Sequence, residues 1–229
     1  MEVAVLIPAR GGSKTIPRKN LAIVAGRPLI AWSLLQADEA NIRPIYVTTD
    51  DEEIANAAYR ILPRVTVIQE PTRDGTTTME EVIRYGLPWM GKLGWLVLLQ
   101  PTSPLRLVDH ITESVRLCAQ GSADSVVSVT ETRKFYWQLN EIAGLTPVLH
   151  DRHRRSMRQT VSPWLAENGS IYVMRVSTFL EEGTRFCGRT LPYVMPDWTA
   201  TEVDSSEDLD MVRLILADRL RQGKDGVRN

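Results

Sequence analysis

Short apolar runs separated by amphipathic stretches set the rhythm of the chain. Val3–Ile7 (VAVLI) is continuous, apolar and rich in β-branched residues, the pattern of a strand buried on both faces. Pro28–Ala40 then places Leu29, Ile30, Leu34 and Leu35 at helical spacing, with Pro28 suited to a first turn. Pro44–Thr49 (PIYVTT) reads as a second strand, and Asp50 is placed to cap a helix whose first turn, Asp51, Glu52 and Glu53, is acidic. The alternation continues through a strand at Val65–Ile68, a helix at Thr76–Leu87 and a buried strand at Trp95–Leu99 (WLVLL). A helix at Val108–Gln120 and a strand at Ser125–Thr130 follow. This order predicts an α/β fold of right-handed βαβ units on a mainly parallel sheet.

The rhythm breaks after Val129. Glu131–Pro163 holds aromatics, an Asn/Gly turn region and the basic run Arg152–Arg158, without helix–strand alternation. A segment this long is uncommon as a plain loop in a compact domain, so it reads as an excursion from the sheet and a candidate subunit interface, with a mobile surface loop as the alternative. Strands resume at Ser170–Met174 and Leu191–Val194, Leu209–Leu220 closes the chain as an amphipathic helix, and the polar tail Arg221–Asn229 is expected to fray. The pattern predicts one domain over residues 1–229 with an insertion at about 131–163.

A formal net charge of −1 over 229 residues supplies neither a basic field for nucleic acid nor the acidic excess of a disordered chain. Cys118 and Cys187 form no disulfide framework and no metal spacing, and read as buried free thiols of a reducing compartment. The chain opens directly on a strand, without the charged and apolar regions of a signal peptide, and no apolar run reaches the ~20 residues that span a bilayer. A cytoplasmic protein is expected.

Against this neutral background the segment after the first strand stands out. Pro8 is followed by Arg10, Gly11, Gly12, Ser13, Lys14, Arg18, Lys19 and Asn20. A loop at the carboxyl end of a first parallel strand lies where open α/β sheets bind ligands. Glycine N–H groups can approach an anion closely, and clustered cations supply the charge a polyphosphate requires. By the same geometry Gln100–Arg106, after the WLVLL strand, belongs on the same rim. Its prolines stiffen the backbone, Gln100, Thr102 and Ser103 offer hydrogen bonds, and Arg106 adds a cation. The same residues would also make a rigid turn with Arg106 paired to a surface carboxylate. Near the end of the chain, Glu202 and Asp204 in extended backbone project to one side. Alone they would read as the acidic approach to the last helix, the role better suited to Asp208; beside a polyphosphate loop they make a Mg²⁺ site.

Other signals fail. Gly86–Leu93 nearly spells a P-loop, yet has Leu93 where the magnesium-binding hydroxyl belongs and precedes its strand. Asn168-Gly169-Ser170 is formally a glycosylation sequon without a secretory signal. His150 and His153 lack partners at metal spacing, and His110 stands beside no nucleophile motif.

Four segments in order, IPARGGSK–IPRKN at 7–20, LLQPTSPLR at 98–106, ENGSIYV at 167–173 and EVDSSEDL at 202–209, resemble the cytidylyltransferases that activate nine-carbon acidic sugars. These are CMP-sialic acid synthetase and its legionaminic and pseudaminic acid relatives; CMP-Kdo synthetase is a cousin whose first motif lacks the Gly-Gly-Ser-Lys core. The resemblance covers nearly the whole chain. It implies a three-layer, Rossmann-like nucleotidyltransferase fold with a small dimerisation arm, and a homodimer that uses CTP, Mg²⁺ and a keto-sugar acid.

Residue by residue, the resemblance implies CTP phosphate contacts at Arg10, Ser13, Lys14 and Lys19, with Gly11 and Gly12 in the same loop and Asn20 near the nucleoside. It implies sugar-side roles for Gln100, Thr102, Ser103, Arg158, Gln159 and Asn168, with Arg158-Gln159 reaching a neighbouring subunit, and metal ligation by Glu202 and Asp204. Arg10, Lys14, Lys19 and Asp204 would carry catalysis.

Several positions depart from the family pattern. Thr15 stands where glycine is common, and Glu202 where aspartate is usual. Glu70-Pro71-Thr72-Arg73-Asp74 lacks the arginine before proline near the base pocket. Ala166 and Arg133–Trp137 replace an arginine and a His-His-Pro segment on the sugar side. The expected reaction is attack of a keto-sugar anomeric hydroxyl on the α-phosphorus of CTP, with pyrophosphate expelled. A guanylyl- or other nucleotidyltransferase acting on a sugar phosphate, or a non-catalytic nucleotide-sugar sensor, are the competing readings.

Overall fold

The computed structural model describes residues 2–72, 76–121, 123–142, 144–148, 150–154 and 157–223. Arg73 and Asp74, part of the basic run and the end of the tail lie outside the described residues.

The strands are β1 (Val3–Pro8), β2 (Ile23–Val24), β3 (Arg27–Pro28), β4 (Ile45–Thr49), β5 (Thr66–Gln69), β6 (Trp95–Leu99), β7 (Ser125–Thr132), β8 (Trp137–Asn140), β9 (Gly144–Pro147), β10 (Trp164–Arg175) and β11 (Thr190–Met195). The helices are α1 (Leu29–Glu39), α2 (Glu52–Ile61), α3 (Met79–Gly86), α4 (Val108–Ala119), α5 (Val176–Glu182) and α6 (Ser206–Arg221). A seven-stranded sheet runs in the order β11-β7-β10-β6-β1-β4-β5. β6, β1, β4 and β5 are mutually parallel, as are β7 and β11, while β10 runs antiparallel between β6 and β7.

Alternation of side chains along the strands sorts the core into two layers. Val5, Ile7, Val47, Val97 and Leu99 face α1, α2 and α4 through Ile30, Leu34, Ile54 and Ile111. Ala4, Leu6, Leu96 and Leu98 face the opposite layer, where α3 and α5 contribute Ile83 and Phe179. Because β1 and β6 are covered on both faces they read as unbroken apolar runs. A third cluster, built on Trp32, Leu209, Val212 and Leu216, packs α6 outside α1.

The expected elements are present, with instructive shifts. Asp51, not Asp50, caps α2, accepting from the N–H groups of Glu53 and Ile54 at 2.8 and 3.0 Å. α3 begins at Met79, because the Thr78 hydroxyl and the Glu81 carboxylate close a reciprocal capping box there. β10 starts at Trp164, six residues before the apolar stretch that marks it in the sequence; its first half pairs with β7 as an exposed stalk. The excursion is not featureless. β8 and β9 form a separate hairpin, with Gly144 at φ +69° ending its turn. No described helix is long and apolar enough to cross a membrane.

Candidate active site

The segments leaving the carboxyl ends of β1 and β6 stand side by side at one rim of the sheet. Between them opens a cleft of about 390 Å³. Pro8, Arg10, Ser13, Lys19 and Asn20 line one wall, and Gln100, Pro101 and Thr102 the other. Thr77, Met79 and Val82 approach from the start of α3, and Glu202 and Asp204 from the segment before α6. Residues separated by nearly the whole chain meet because adjacent parallel strands bring their carboxyl-end loops together.

Within the first loop each residue has a distinct task. The Gly11 N–H donates to Asp50 Oδ1 at 2.8 Å, and a Cβ on Gly11 would fall 2.5 Å from Asp51 Oδ2. Close packing against the start of α2 therefore demands this glycine, and its N–H is already engaged: a correction to the reading that places it on an anion. Gly12 is exposed with open space around it. Arg18, at φ 54°, pairs with Asp51 and Glu53 at 3.3 and 2.6 Å, and so belongs to the α2 terminus. Lys14 is exposed and is not among the residues lining the cleft. Asn20 is buried and donates to the Arg10 carbonyl at 2.9 Å, setting the curvature of the loop. The Lys19 ammonium reaches across the cleft to the Val203 carbonyl at 2.7 Å and to Asp204 Oδ1 at 3.0 Å.

The two carboxylates differ in surroundings. Asp204 is 73% exposed, and among the described residues its ion-pair partner is Lys19. Glu202 lies against Gly169, at φ +58°; a Cβ there would fall 2.0 Å from the Glu202 carboxylate. Burial pushes the Glu202 carboxyl up from its ordinary value, with the charges of Asp204 and Glu167 acting in the same direction and Lys19 and Arg106 opposing. Asp208 turns away. It accepts from the Ser205 hydroxyl and N–H at 2.8 and 2.9 Å, bonds that hold its carboxyl below the usual range and make it a helix cap.

A buried polar network underlies the cleft. The Ser103 hydroxyl donates to the Asn168 carbonyl at 3.1 Å, and Asn168 Oδ1 accepts from Ser128 at 2.6 Å. Asn168 Nδ2 reaches Thr199 Oγ1 at 3.3 Å. Ser103 and Asn168 thus lie beneath the wall of the cleft, each almost wholly buried. Arg106 is fully buried and, among the described residues, paired with no surface carboxylate, so the rigid-turn alternative fails in its detail.

Two further chambers flank the central one. One of about 350 Å³, lined by Glu70, Pro71, Thr72, Thr76, Thr77, Glu81, Val82 and Tyr85, shares Thr77 and Val82 with it. The other, about 750 Å³, lies between the excursion and the sheet, with Thr130–Lys134, Tyr136, Gln159, Glu167 and Asp197 on its walls. Gln159 is therefore at a cleft of its own chain, and Arg158 stands beside it at the start of a short 3₁₀ turn. Among the described residues no group of three or more His, Cys, Asp or Glu is placed to hold a metal. His110 is buried, accepting from the Leu107 N–H at 3.1 Å, and burial holds its imidazole down at about 4. Leu87–Met90 of the near-P-loop is a 3₁₀ turn.

The sequence model of the cytidylyltransferase family matches residues 4–221. The chain belongs to that family. Among curated relatives, it is 33% identical over 217 residues to N-acylneuraminate cytidylyltransferase A of Danio rerio, covering 91% of this chain and 49% of the relative. It is 25% identical over 226 residues to pseudaminic acid cytidylyltransferase of Campylobacter jejuni, covering 94% of this chain and 96% of that protein. The chain spans about half the length of the N-acylneuraminate relatives it matches. Among solved structures, CMP:2-keto-3-deoxy-manno-octonic acid synthetase complexed with CTP superposes with a TM-score of 0.70 over 96% of this chain and all of that one, at 17% identity. At that identity the likeness fixes the fold: the three-layer α/β nucleotidyltransferase architecture.

Sequence reasoning missed several residues around this cleft. Ser33 and Gln36 are polar yet wholly buried on α1, and Ser128 is buried in β7. The signal was a polar residue at an inward-facing helix or strand position. Glu167, which accepts from the Tyr172 hydroxyl at 3.0 Å, is visible only once β10 is known to bulge between Glu167 and Tyr172.

Proposed function

We propose that the chain transfers a cytidylyl group from CTP to the anomeric hydroxyl of a sialic-acid-like 2-keto sugar acid. The acceptor oxygen bonds to the α-phosphorus, the bond to the β-phosphate bridge breaks, pyrophosphate leaves and the hydroxyl proton is released. The observation that carries this reading is the convergence of Arg10, Ser13, Lys19, Gln100, Glu202 and Asp204 on one cleft at the switch side of the sheet.

The residues suit distinct parts of the reaction. Arg10 and Lys19 face the cleft and offset triphosphate charge; Lys14, exposed on the same loop, is free to fold over a bound phosphate chain. The chamber at Glu70–Tyr85 suits the base, and the larger chamber at Arg133, Lys134 and Gln159 suits the acid. Catalysis by such a site is mostly positioning and charge neutralisation.

The carboxylates fit a Mg²⁺ ion. Asp204 already takes a cation, the Lys19 ammonium, and the Glu202 carboxyl is raised first by burial and then by the like charge of Asp204, a repulsion that a divalent ion relieves. Two carboxylates with substrate phosphates make a common Mg²⁺ donor set. When bound, the ion would neutralise phosphate charge. Lys19 would then leave Asp204 for the phosphates.

We further infer a homodimer through the excursion. Leu139, Ile142 and Leu145 of the β8–β9 hairpin are exposed, Ile142 at 99%. An isolated two-stranded hairpin is marginal in water without a surface to cover it. Gln159, which lines the acid chamber of its own chain, and Arg158 beside it in sequence would then lie near a partner's chamber as well. Buried, unpaired Cys118 and Cys187 support a cytoplasmic setting.

The test is pyrophosphate release with Mg²⁺ across four nucleoside triphosphates, each against sialic, legionaminic, pseudaminic and related keto-sugar acids and sugar 1-phosphates. Turnover confined to CTP and a keto-sugar acid is expected. Turnover with GTP or UTP and a sugar phosphate overturns the substrate assignment, and nucleotide binding without any turnover overturns the enzyme assignment.

A further inference from the structure

A fully buried guanidinium with no carboxylate against it is costly unless its geometry does something. Arg106, 1% exposed, is such a group among the described residues. Its Nε donates to Ser170 Oγ at 3.0 Å, one terminal nitrogen donates to Ser33 Oγ at 2.7 Å and to Gln36 Oε1 at 3.3 Å, and the other donates to the Gln100 carbonyl. The fork is therefore filled by neutral acceptors from three separate elements. Gln36 closes the arrangement, donating to the carbonyls of Pro104 and Arg106 at 3.0 and 2.7 Å.

The two ends of the fork matter most. Gln100 lines the central cleft. Ser170 immediately follows Gly169, the left-handed residue on which the Glu202 carboxylate rests. The guanidinium's partners lie on α1, β10 and the segment after β6, not on the loop Arg10–Asn20. Burial lowers the Arg106 group only to about 9, so it stays charged at neutral pH, and the opposing field it feels is that of Glu202.

We infer that Arg106 is a positioning residue for the acceptor half of the site: its guanidinium fixes the Gln100 backbone at the cleft wall and the Ser170 end of the β10 bulge, against whose Gly169 the Glu202 carboxylate packs. Lysine cannot replace it, because one ammonium cannot reach three elements with the spacing of a planar fork. The inference rests on the proposed transfer to a sugar acid for its kinetic consequence, and on geometry alone for its structural one.

Arg106→Lys and Ser170→Ala test it, the second removing one bond from outside the buried charge so that a folded variant is assured of comparison. Expected for both is a CTP dissociation constant within about threefold of wild type, with kcat/KM for the acid down about 100-fold in Arg106→Lys and about 10-fold in Ser170→Ala. In the same samples amide hydrogen exchange should quicken in segments 100–105 and 166–171 and not in 9–20. Equal losses in nucleotide and acid use, unchanged kinetics in folded Ser170→Ala, or exchange that rises everywhere or nowhere overturns the inference. If the wild type turns over no acid while the exchange pattern holds, the substrate assignment fails and the positioning role stands.

Discussion

At the rim of the sheet Ser103, Arg106, Asn168 and Ser170 are almost wholly buried, and each gives or takes a hydrogen bond within one network. Across the 131–163 excursion the balance reverses: Leu139, Ile142, Leu145 and Met157 face solvent, and β8 and β9 pair only with each other. One region spends polar groups inside to hold a geometry. The other keeps apolar groups outside, to be covered by something else. The first arrangement fixes the backbone beneath the cleft to within hydrogen-bond tolerances; the second suits the proposed association.

The most damaging way to break the rim is to remove the exposed carboxylate at its mouth. Asp204→Ala should lower kcat by on the order of 10³-fold. It deletes the Lys19 partner but no buried group, so the melting temperature should hold and CTP binding should survive in part. Single-turnover assays and calorimetry check both; unchanged turnover would sink the metal assignment. Gly169→Ala comes next. A methyl group there collides with the Glu202 carboxylate at a positive φ, so Glu202 must swing away. Turnover should fall about 100-fold with a stability loss of about 1–2 kcal/mol. Full activity in this variant would show that Glu202 does not need its platform.

Those two residues also show what could be read from sequence. The strand–loop positions of Arg10, Lys19 and Gln100 followed from apolar runs ending in chemistry, since parallel strands deliver their loops to one rim, whereas Asp204 followed from an acidic extended segment ahead of the last helix that takes its meaning from the phosphate loop. Asn168 and Ser103 were visible as motif members but their direction was not, because a bulge decides which side of β10 meets the cleft. Gly11 looked like an anion cradle and proved to be a packing glycine, a distinction that depends on where α2 begins. The excursion gave the opposite experience. Its existence was plain from the broken rhythm, whereas its hairpin was not, because short strands with both faces wet carry no buried–exposed alternation.

The excursion itself should break without breaking the fold. Leu139→Glu with Ile142→Glu places charge on exposed positions of the β8–β9 hairpin, which no described residue of the chain covers. Unfolding free energy at equal protomer association should stay within about 0.5 kcal/mol. Sedimentation should change from dimer to monomer, and activity should fall about tenfold as the partner's contribution to the acid chamber is lost. A variant that sediments like wild type would remove this face from the interface.

The smallest effect returns to the rim and concerns pH. His110 follows the Gln100–Arg106 loop on α4, and burial holds its imidazole at about 4, with Arg219 and Arg106 acting in the same direction and Asp109 and Glu113 against. The unfolded chain takes up a proton near the ordinary value of about 6.5. Above that pH neither state binds the proton and the residue costs nothing. Between about 6.5 and 4 the unfolded state binds it and the folded state does not, so stability falls as pH falls, by about 3 kcal/mol across the whole window. His110→Asn keeps an acceptor for the Leu107 N–H and removes the titration. Urea unfolding at pH 7.5 and 4.5 should therefore show a smaller acid-induced loss in the variant than in wild type. Equal losses would mean that the rim's polar network, for all its burial, leaves this imidazole free to take its proton in place, and that its acid sensitivity lies in the carboxylates instead.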